Sequence, residues 1–286
     1  MMPKILSPEQ IAKYERDGYA YPIDVMSAQD AQSYLTRLEA SEAQQGQQLV
    51  KGSNFKPHLI FKWADELAYH PRILDAVEDL IGPNIRILSS TVFPKMPGTG
   101  AFVDWHQDGT YFALEPDNLQ LAVWVALSDA PIEAGCMEMV VGSQKLGQLN
   151  HREVASDKHM LSLGQTVDDP FRRDNTEFMP LKAGQMSIHH THTIHRSGPN
   201  QSAWRRVGVT LTYVPAQLKV RASVKPSAAL VRGVDPWKNF EDEPRPGIDL
   251  GEAERRFQEH ANALFRGVYA DERQRYQRGQ SAQTTA

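Results

Sequence analysis

Ile85-Arg86-Ile87-Leu88-Ser89-Ser90-Thr91-Val92-Phe93 is the stretch at which the chain changes character. Upstream of it, apolar residues recur at helical spacing. From it onward, short runs rich in Ile, Val, Phe, Thr and Trp alternate with Gly, Pro and Asp turns. These runs are AFVDWH (101–106), LQLAVWVAL (119–127), MEMVV (137–141), QMSIHHT (185–191) and RVGVTLTYV (206–214). Short strands punctuated by turns predict an antiparallel sandwich or barrel with the earlier helices packed outside. The fold class is therefore mainly β with flanking helices.

Working outward, Ser7-Pro8-Glu9-Gln10 reads as an N-cap followed by proline at the first helical position, and Gly18 breaks that helix. A second helix starts near Ser27, and the polar residues 41–52 read as loop or frayed helix. Ile73, Leu74, Val77, Leu80 and Ile81 form one stripe on a helix from Pro71, stopped by Gly82-Pro83. Beyond the sheet, Asp249-Leu250-Gly251-Glu252 resembles a capping box for a last helix; the chain turns charged and polar after Ala270, and its last ten or so residues are expected to be loose. The chain is thus read as a single domain, 1–286. Residues 1–84 are mainly helical, 85–215 form the β core with an insertion at 149–180, and 216–286 are a C-terminal extension and helix.

A hydrophobic fraction of 41%, a charged fraction of 23% and ordinary Gly and Pro usage describe a globular chain that can bury a sizeable core. The net charge of -4 offers no basic excess for a nucleic-acid backbone. A single cysteine, Cys136, excludes an internal disulfide and a thiolate-rich metal site. With no apolar run of membrane-spanning length and no secretory leader pattern, the expected location is cytoplasmic.

The chemistry-bearing residues begin at Asp104-Trp105-His106-Gln107-Asp108-Gly109. On a strand, residues i and i+2 face the same side, so His106 and Asp108 can converge on one ion. Residues 187–195 (SIHHTHTIH) supply His189, His190, His192 and His195 as candidates for a third ligand. Two histidines and one carboxylate hold one face of an octahedral ion and leave the other face to reactants. Non-haem Fe(II) oxygenases use that arrangement, whereas a four-ligand zinc site has no vacancy. The residues alone select neither the metal nor the histidine.

WHQDGTYF (105–112), AVWVALSDAPIEAGCMEMVVGSQKLG (122–147) and HRSGPNQSAWRR (195–206) resemble the motifs of the phytanoyl-CoA dioxygenase family, over roughly Tyr14 to Phe240. The resemblance implies a double-stranded β-helix (jelly-roll, cupin-like) core, Fe(II) as metal, and 2-oxoglutarate and O2 as co-substrates. It assigns His106, Asp108 and His195 as the metal ligands and Arg206, with Ser197, as the 2-oxoglutarate anchor. Gln107 and Trp124 are similar to residues lining the co-substrate site, and Lys95 is expected near a carboxylate. Halogenases of the wider superfamily replace the metal carboxylate with a small residue. The retained Asp108 therefore favours hydroxylation. Arg196 stands where the family commonly has glycine.

Lys56, His58, Phe61, Arg196 and Arg232 are the candidate substrate contacts. Their charges suit a small acidic or phosphonate-bearing metabolite, and a specialised natural product is equally compatible. The insertion at 149–180, together with Lys56 to Phe61, is expected to wall the substrate side as a lid. The competing readings are a non-catalytic metal-containing jelly-roll binding protein and a cupin-like Zn or Mn enzyme that does not use O2. For assembly, the frequency of symmetric dimers tips the expectation to a homodimer.

Overall fold

The computed structural model describes residues 3–50, 54–161 and 164–284, with side chains to residue 274. The N-terminal part runs α1 (Pro8–Asp17), β1 (Tyr19–Asp24), α2 (Ala28–Gln45), α3 (Lys62–Ala68) and α4 (Pro71–Ile81). The core then runs β2 (Ile85–Lys95), β3 (Val103–His106), β4 (Leu114–Glu115), β5 (Leu121–Ala126) and β6 (Met137–Val140). It continues with β7 (His151–Glu153), β8 (Gln165–Val167), β9 (Thr176–Met179), β10 (Gln185–His190), β11 (His195–Ser197) and β12 (Arg206–Pro215). The C-terminal part holds β13 (Lys219–Val220), β14 (Ser227–Arg232), β15 (Glu241–Asp242) and α5 (Glu252–Thr284).

A seven-stranded sheet of order β1-β10-β5-β12-β2-β14-β15 faces a four-stranded sheet of order β3-β11-β6-β9, which makes the jelly-roll core. Alternation within the large sheet separates its two tasks. Val207, Val209, Leu211 and Tyr213 of β12, with Leu121, Val123 and Val125 of β5, join Leu38, Trp63, Leu67 and Val77 of the helices in one apolar core. The intervening residues Arg206, Gly208, Thr210 and Thr212 pair with Lys95, Phe93, Thr91 and Ser89 of β2 and turn to the interior. One face of these strands builds the fold and the other builds the site.

The helix-start reading at Ser7 holds in detail. Its hydroxyl accepts from the Gln10 amide at 3.2 Å, and the Gln10 side chain accepts from the Ser7 amide at 2.9 Å. Gly18 then caps the helix in the left-handed conformation, with φ 89.

Three local expectations are corrected. The polar residues after Ser41 do not leave the helix at once: α2 runs on to Gln45, because Trp63 Nε1 donates to Ser41 Oγ at 3.0 Å and Glu42 binds Arg205 at 2.7 Å. Tertiary hydrogen bonds there hold the last helical turn of a stretch that reads as loop or frayed helix. The capping box at 249–252 does not form. Asp249 instead accepts from the Lys62 amide at 2.7 Å, at the start of α3, and Glu254 accepts from the Gly247 amide at 3.0 Å. Lastly, α5 extends past Ala270 to Thr284.

The insertion at 149–180 is also more ordered than a plain excursion. β7 pairs with β8, and β9 extends the small sheet through β6. Among the described residues no helix is long and apolar enough to cross a membrane.

Candidate metal centre

His106 ends β3 and His195 opens β11; the two are register partners on adjacent antiparallel strands. Asp108 follows in a 3-10 turn, Asp108–Tyr111, so it swings back beside His106. The ligand-capable atoms of His106, Asp108 and His195 all lie within 4.8 Å of one another. Asp108 Oδ1 is 3.4 Å from His106 Nε2 and 3.9 Å from His195 Nε2.

Backbone geometry fixes which nitrogens are available. His106 Nδ1 donates to the Asp104 carbonyl at 2.9 Å, and His195 Nδ1 donates to the Thr193 carbonyl at 2.9 Å. Each Nε2 is thereby left with a free lone pair aimed at the common point. Burial and the neighbouring imidazoles push His195 well below its ordinary value. Burial alone would raise Asp108, but the His106, His189 and His195 side chains gathered around it hold it well below the usual carboxylate range. Neutral imidazoles and an ionised carboxylate are the states a metal ion requires. The donor set fits an ion held on one face.

Beside the triad lies a cationic cradle. Lys95 and Arg206 face each other across β2 and β12, both almost fully buried. Lys95 Nζ donates to the Ser197 carbonyl at 2.9 Å, and also to Ser197 Oγ and the Gly198 carbonyl. Arg206 donates to the Gly135 carbonyl at 3.1 Å and to Ser197 Oγ at 3.2 Å, while its Nε has no partner. The guanidinium lies 5.2 Å from the Trp124 ring centroid. A Cβ at position 208 would come within 1.9 Å of that indole, so glycine is what lets Trp124 lie across β12. Burial and the Arg206 charge push Lys95 down to about 5, and burial pushes Arg206 down to about 10. Among the described residues no carboxylate pairs with either cation. A buried orphan guanidinium nitrogen and two uncompensated cations fit the terminal carboxylate of a dicarboxylic acid.

Other expected contacts fall elsewhere. Gln107 turns away from the centre: its amide donates to the Gly147 and His192 carbonyls at 2.8 and 2.7 Å, and its oxygen accepts from the Leu149 amide at 2.7 Å. It ties the loop to the strands. Arg196 alternates outward between His195 and Ser197, pairs with Glu138 at 2.6 Å and covers Trp105. Lys56 forms a buried ion pair with Glu243, whose other oxygen lies 3.0 Å from His58 Nε2. Phe61 is core, stacked with Trp63. Arg232 is pinned to α4 by Asp75 and Glu78 at 2.7 and 2.8 Å. None of the five proposed substrate contacts lines the cavity described next.

That cavity, of about 840 Å³, opens on Asp108. Thr91 and Thr210 of the sheet form its floor, and Phe55, Phe93, Tyr111 and Phe265 wall it. Among the described residues the insertion contributes Met160 and Leu161, and Asn54 and Phe55 take the place expected of Lys56 to Phe61. The largest wall is α5, from Asn262 to Gln274, which the sequence reading did not foresee. Its apolar stripe is visible in the sequence, but which surface it covers is not. Tyr111 Oη and Asn262 Oδ1 are buried there without hydrogen-bond partners. His189, unranked among the histidines, also reaches the centre, with Nε2 3.1 Å from Asp108 Oδ2.

Comparison with known proteins follows the same lines. The family model described as phytanoyl-CoA dioxygenase (PhyH) matches residues 2–208. A probable alpha-ketoglutarate-dependent hypophosphite dioxygenase of Stutzerimonas stutzeri is 28% identical over 212 residues, covering 73% of this chain and 72% of that protein. An ectoine dioxygenase of Bordetella parapertussis is 25% identical over 232 residues, covering 73% and 75%. Among solved structures, the apo form of the non-heme monooxygenase ThoJ superposes with a TM-score of 0.81 at 29% identity, covering 93% of this chain and 99% of ThoJ. Its nickel complex gives 0.76 at 30% identity, covering 92% and 99%.

Proposed function

The chain belongs to the phytanoyl-CoA dioxygenase family of Fe(II)- and 2-oxoglutarate-dependent oxygenases, and on that premise we propose that it hydroxylates an aliphatic C–H bond of a ring-bearing, largely apolar metabolite. One observation carries the reading: Asp108 belongs both to the metal-binding triad and to the lining of the aromatic cavity. A molecule filling that cavity would lie against Asp108, one of the three residues that would hold the metal.

His106, Asp108 and His195 would hold Fe(II), and Arg206, Ser197 and Lys95 would hold the distal carboxylate of 2-oxoglutarate. The bound metal and co-substrate, with O2, supply the oxidising power for an unactivated C–H bond, 2-oxoglutarate leaving as succinate and CO2. The protein's share is placement and exclusion of water. Aromatic walls suit the flat face of a ring system, and the Thr91, Thr210 and Tyr111 hydroxyls and the Asn262 carbonyl are free to orient its polar substituents. The case for an acidic or phosphonate-bearing substrate rested on Lys56, Arg196 and Arg232, and all three are committed outside the cavity; the cations that line it are Arg266 and Arg273 of α5, the latter paired with Glu153 at 3.3 Å.

The test is a metabolite screen for substrate-stimulated succinate release, with mass spectrometry of the products. We expect stimulation by ring-bearing apolar compounds, dependent on Fe(II), O2 and 2-oxoglutarate, and a product heavier by one oxygen atom. Stimulation by small phosphonates alone would overturn the substrate class. Ligand binding with no turnover under any of these conditions would favour a binding protein instead.

A further inference from the structure

We propose that His189 is a positioning residue that holds the outer oxygen of Asp108 and so keeps this carboxylate a one-oxygen ligand. His189 lies on β10, paired on its two sides with Tyr19 and Ala122, and is buried. Its Nε2 stands 3.1 Å from Asp108 Oδ2, while Asp108 Oδ1 faces His106 Nε2 at 3.4 Å and His195 Nε2 at 3.9 Å. The two oxygens therefore have separate partners. An ionised carboxylate only accepts hydrogen bonds, so the hydrogen sits on His189 Nε2. His189 Nδ1 has no hydrogen-bond partner, as expected of an imidazole whose single N–H is spent on Asp108.

The consequence follows from counting positions around the ion. A carboxylate free to turn can ligate through one oxygen or both. A second oxygen would occupy one of the three positions that the triad leaves to reactants. Tying Oδ2 to His189 removes that option and leaves the open face clear for a two-point co-substrate and O2. His189 is not itself a member of the triad, although its ring centroid is only 4.5 Å from that of His195.

The experiment measures Fe(II) affinity anaerobically, against a competing chelator, and the visible spectrum of the Co(II)-substituted protein. It compares the unaltered protein with His189→Phe, His189→Gln and His195→Ala. Phe fills the imidazole volume without a donor, and Gln can place its amide nitrogen near the Nε2 position. We expect His195→Ala to lose the ion, and His189→Phe to bind it ten- to hundredfold more weakly with a changed Co(II) spectrum. His189→Gln should recover both properties. Affinity and spectrum unchanged in His189→Phe would overturn the proposal. So would a Gln variant as impaired as the Phe variant, and losses as complete as that of His195→Ala in both would make His189 a ligand. Should His189→Phe fail to fold by circular dichroism, His189→Asn, too short to reach Oδ2, takes its place with the same expectation. No primary substrate is needed, so failure here leaves the hydroxylation reading standing.

Discussion

Two kinds of buried cation in this molecule obey opposite rules. Lys56 meets Glu243, and Arg86 meets Asp235 and Asp242 at 2.6 and 2.5 Å. Each of those charges is neutralised by the fold itself. Lys95 and Arg206 are as deeply buried, yet they meet only hydroxyl and carbonyl oxygens. Burying a charge without a counter-charge is costly. A compensated cation is architecture; an uncompensated pair beside a metal triad marks where a ligand's negative charge belongs. The same test sets Lys56, Arg196 and Arg232 apart from that pair, since each already has a carboxylate.

The largest expected effect breaks the architectural member of this comparison. Burial alone would raise Glu243, but the Lys56 charge and the His58 hydrogen bond hold it from 4.5 down to about 2. Glu243→Ala leaves Lys56 buried and unpaired, and should lower unfolding free energy by about 3–5 kcal/mol in chemical denaturation. Its 2-oxoglutarate affinity should stay within about twofold, within the scatter expected between distant sites. Because the folded value lies below the ordinary one, this contribution is fully present above pH 4.5 and is lost as the pH falls towards 2. A denaturation series across that range checks the sign.

Lys95→Met sharpens the other side. It removes a buried charge at similar length, so thermal melting should show no loss of stability, while calorimetry should show 2-oxoglutarate bound more weakly by about 1.5–3 kcal/mol. Burial and the Arg206 charge push Lys95 down to about 5, and an anion bound beside it opposes that push. Binding an anion there should therefore be accompanied by proton uptake. Affinity should accordingly rise as the pH falls towards 5, as more of the amine is charged before the anion arrives. Binding heats that do not change with the ionisation enthalpy of the buffer would contradict this.

The smallest effect is expected at Arg196, whose partly exposed pair with Glu138 lies on the outer side of β11. Arg196→Ala should change stability by less than about 1 kcal/mol and leave co-substrate affinity unaltered in the same titration.

Much of this was legible in the sequence because it depends on local alternation. The turn-punctuated runs from Ile85 announce the sheets, and His106-x-Asp108 marks two ligands, although a 3-10 turn rather than strand alternation brings Asp108 beside His106. Choosing His195 among its neighbours, and proposing Arg206 as the anchor, needed the family resemblance. What stayed hidden depends on long-range placement. Gln107 lies between two ligands in sequence, yet faces away and braces a loop. Asp249 caps a helix distant in sequence. Nothing local shows that α5 returns to wall the cavity, or that His189 selects one oxygen of Asp108.

The central claim is that the uncompensated cations hold the co-substrate, and an anaerobic titration of 2-oxoglutarate into the Fe(II)-loaded protein tests it most directly. The account predicts that Arg206→Ala binds more weakly by about 2–5 kcal/mol, roughly 30- to 5,000-fold, with a melting temperature unchanged or higher. Equal affinity in the variant and the unaltered protein would contradict it.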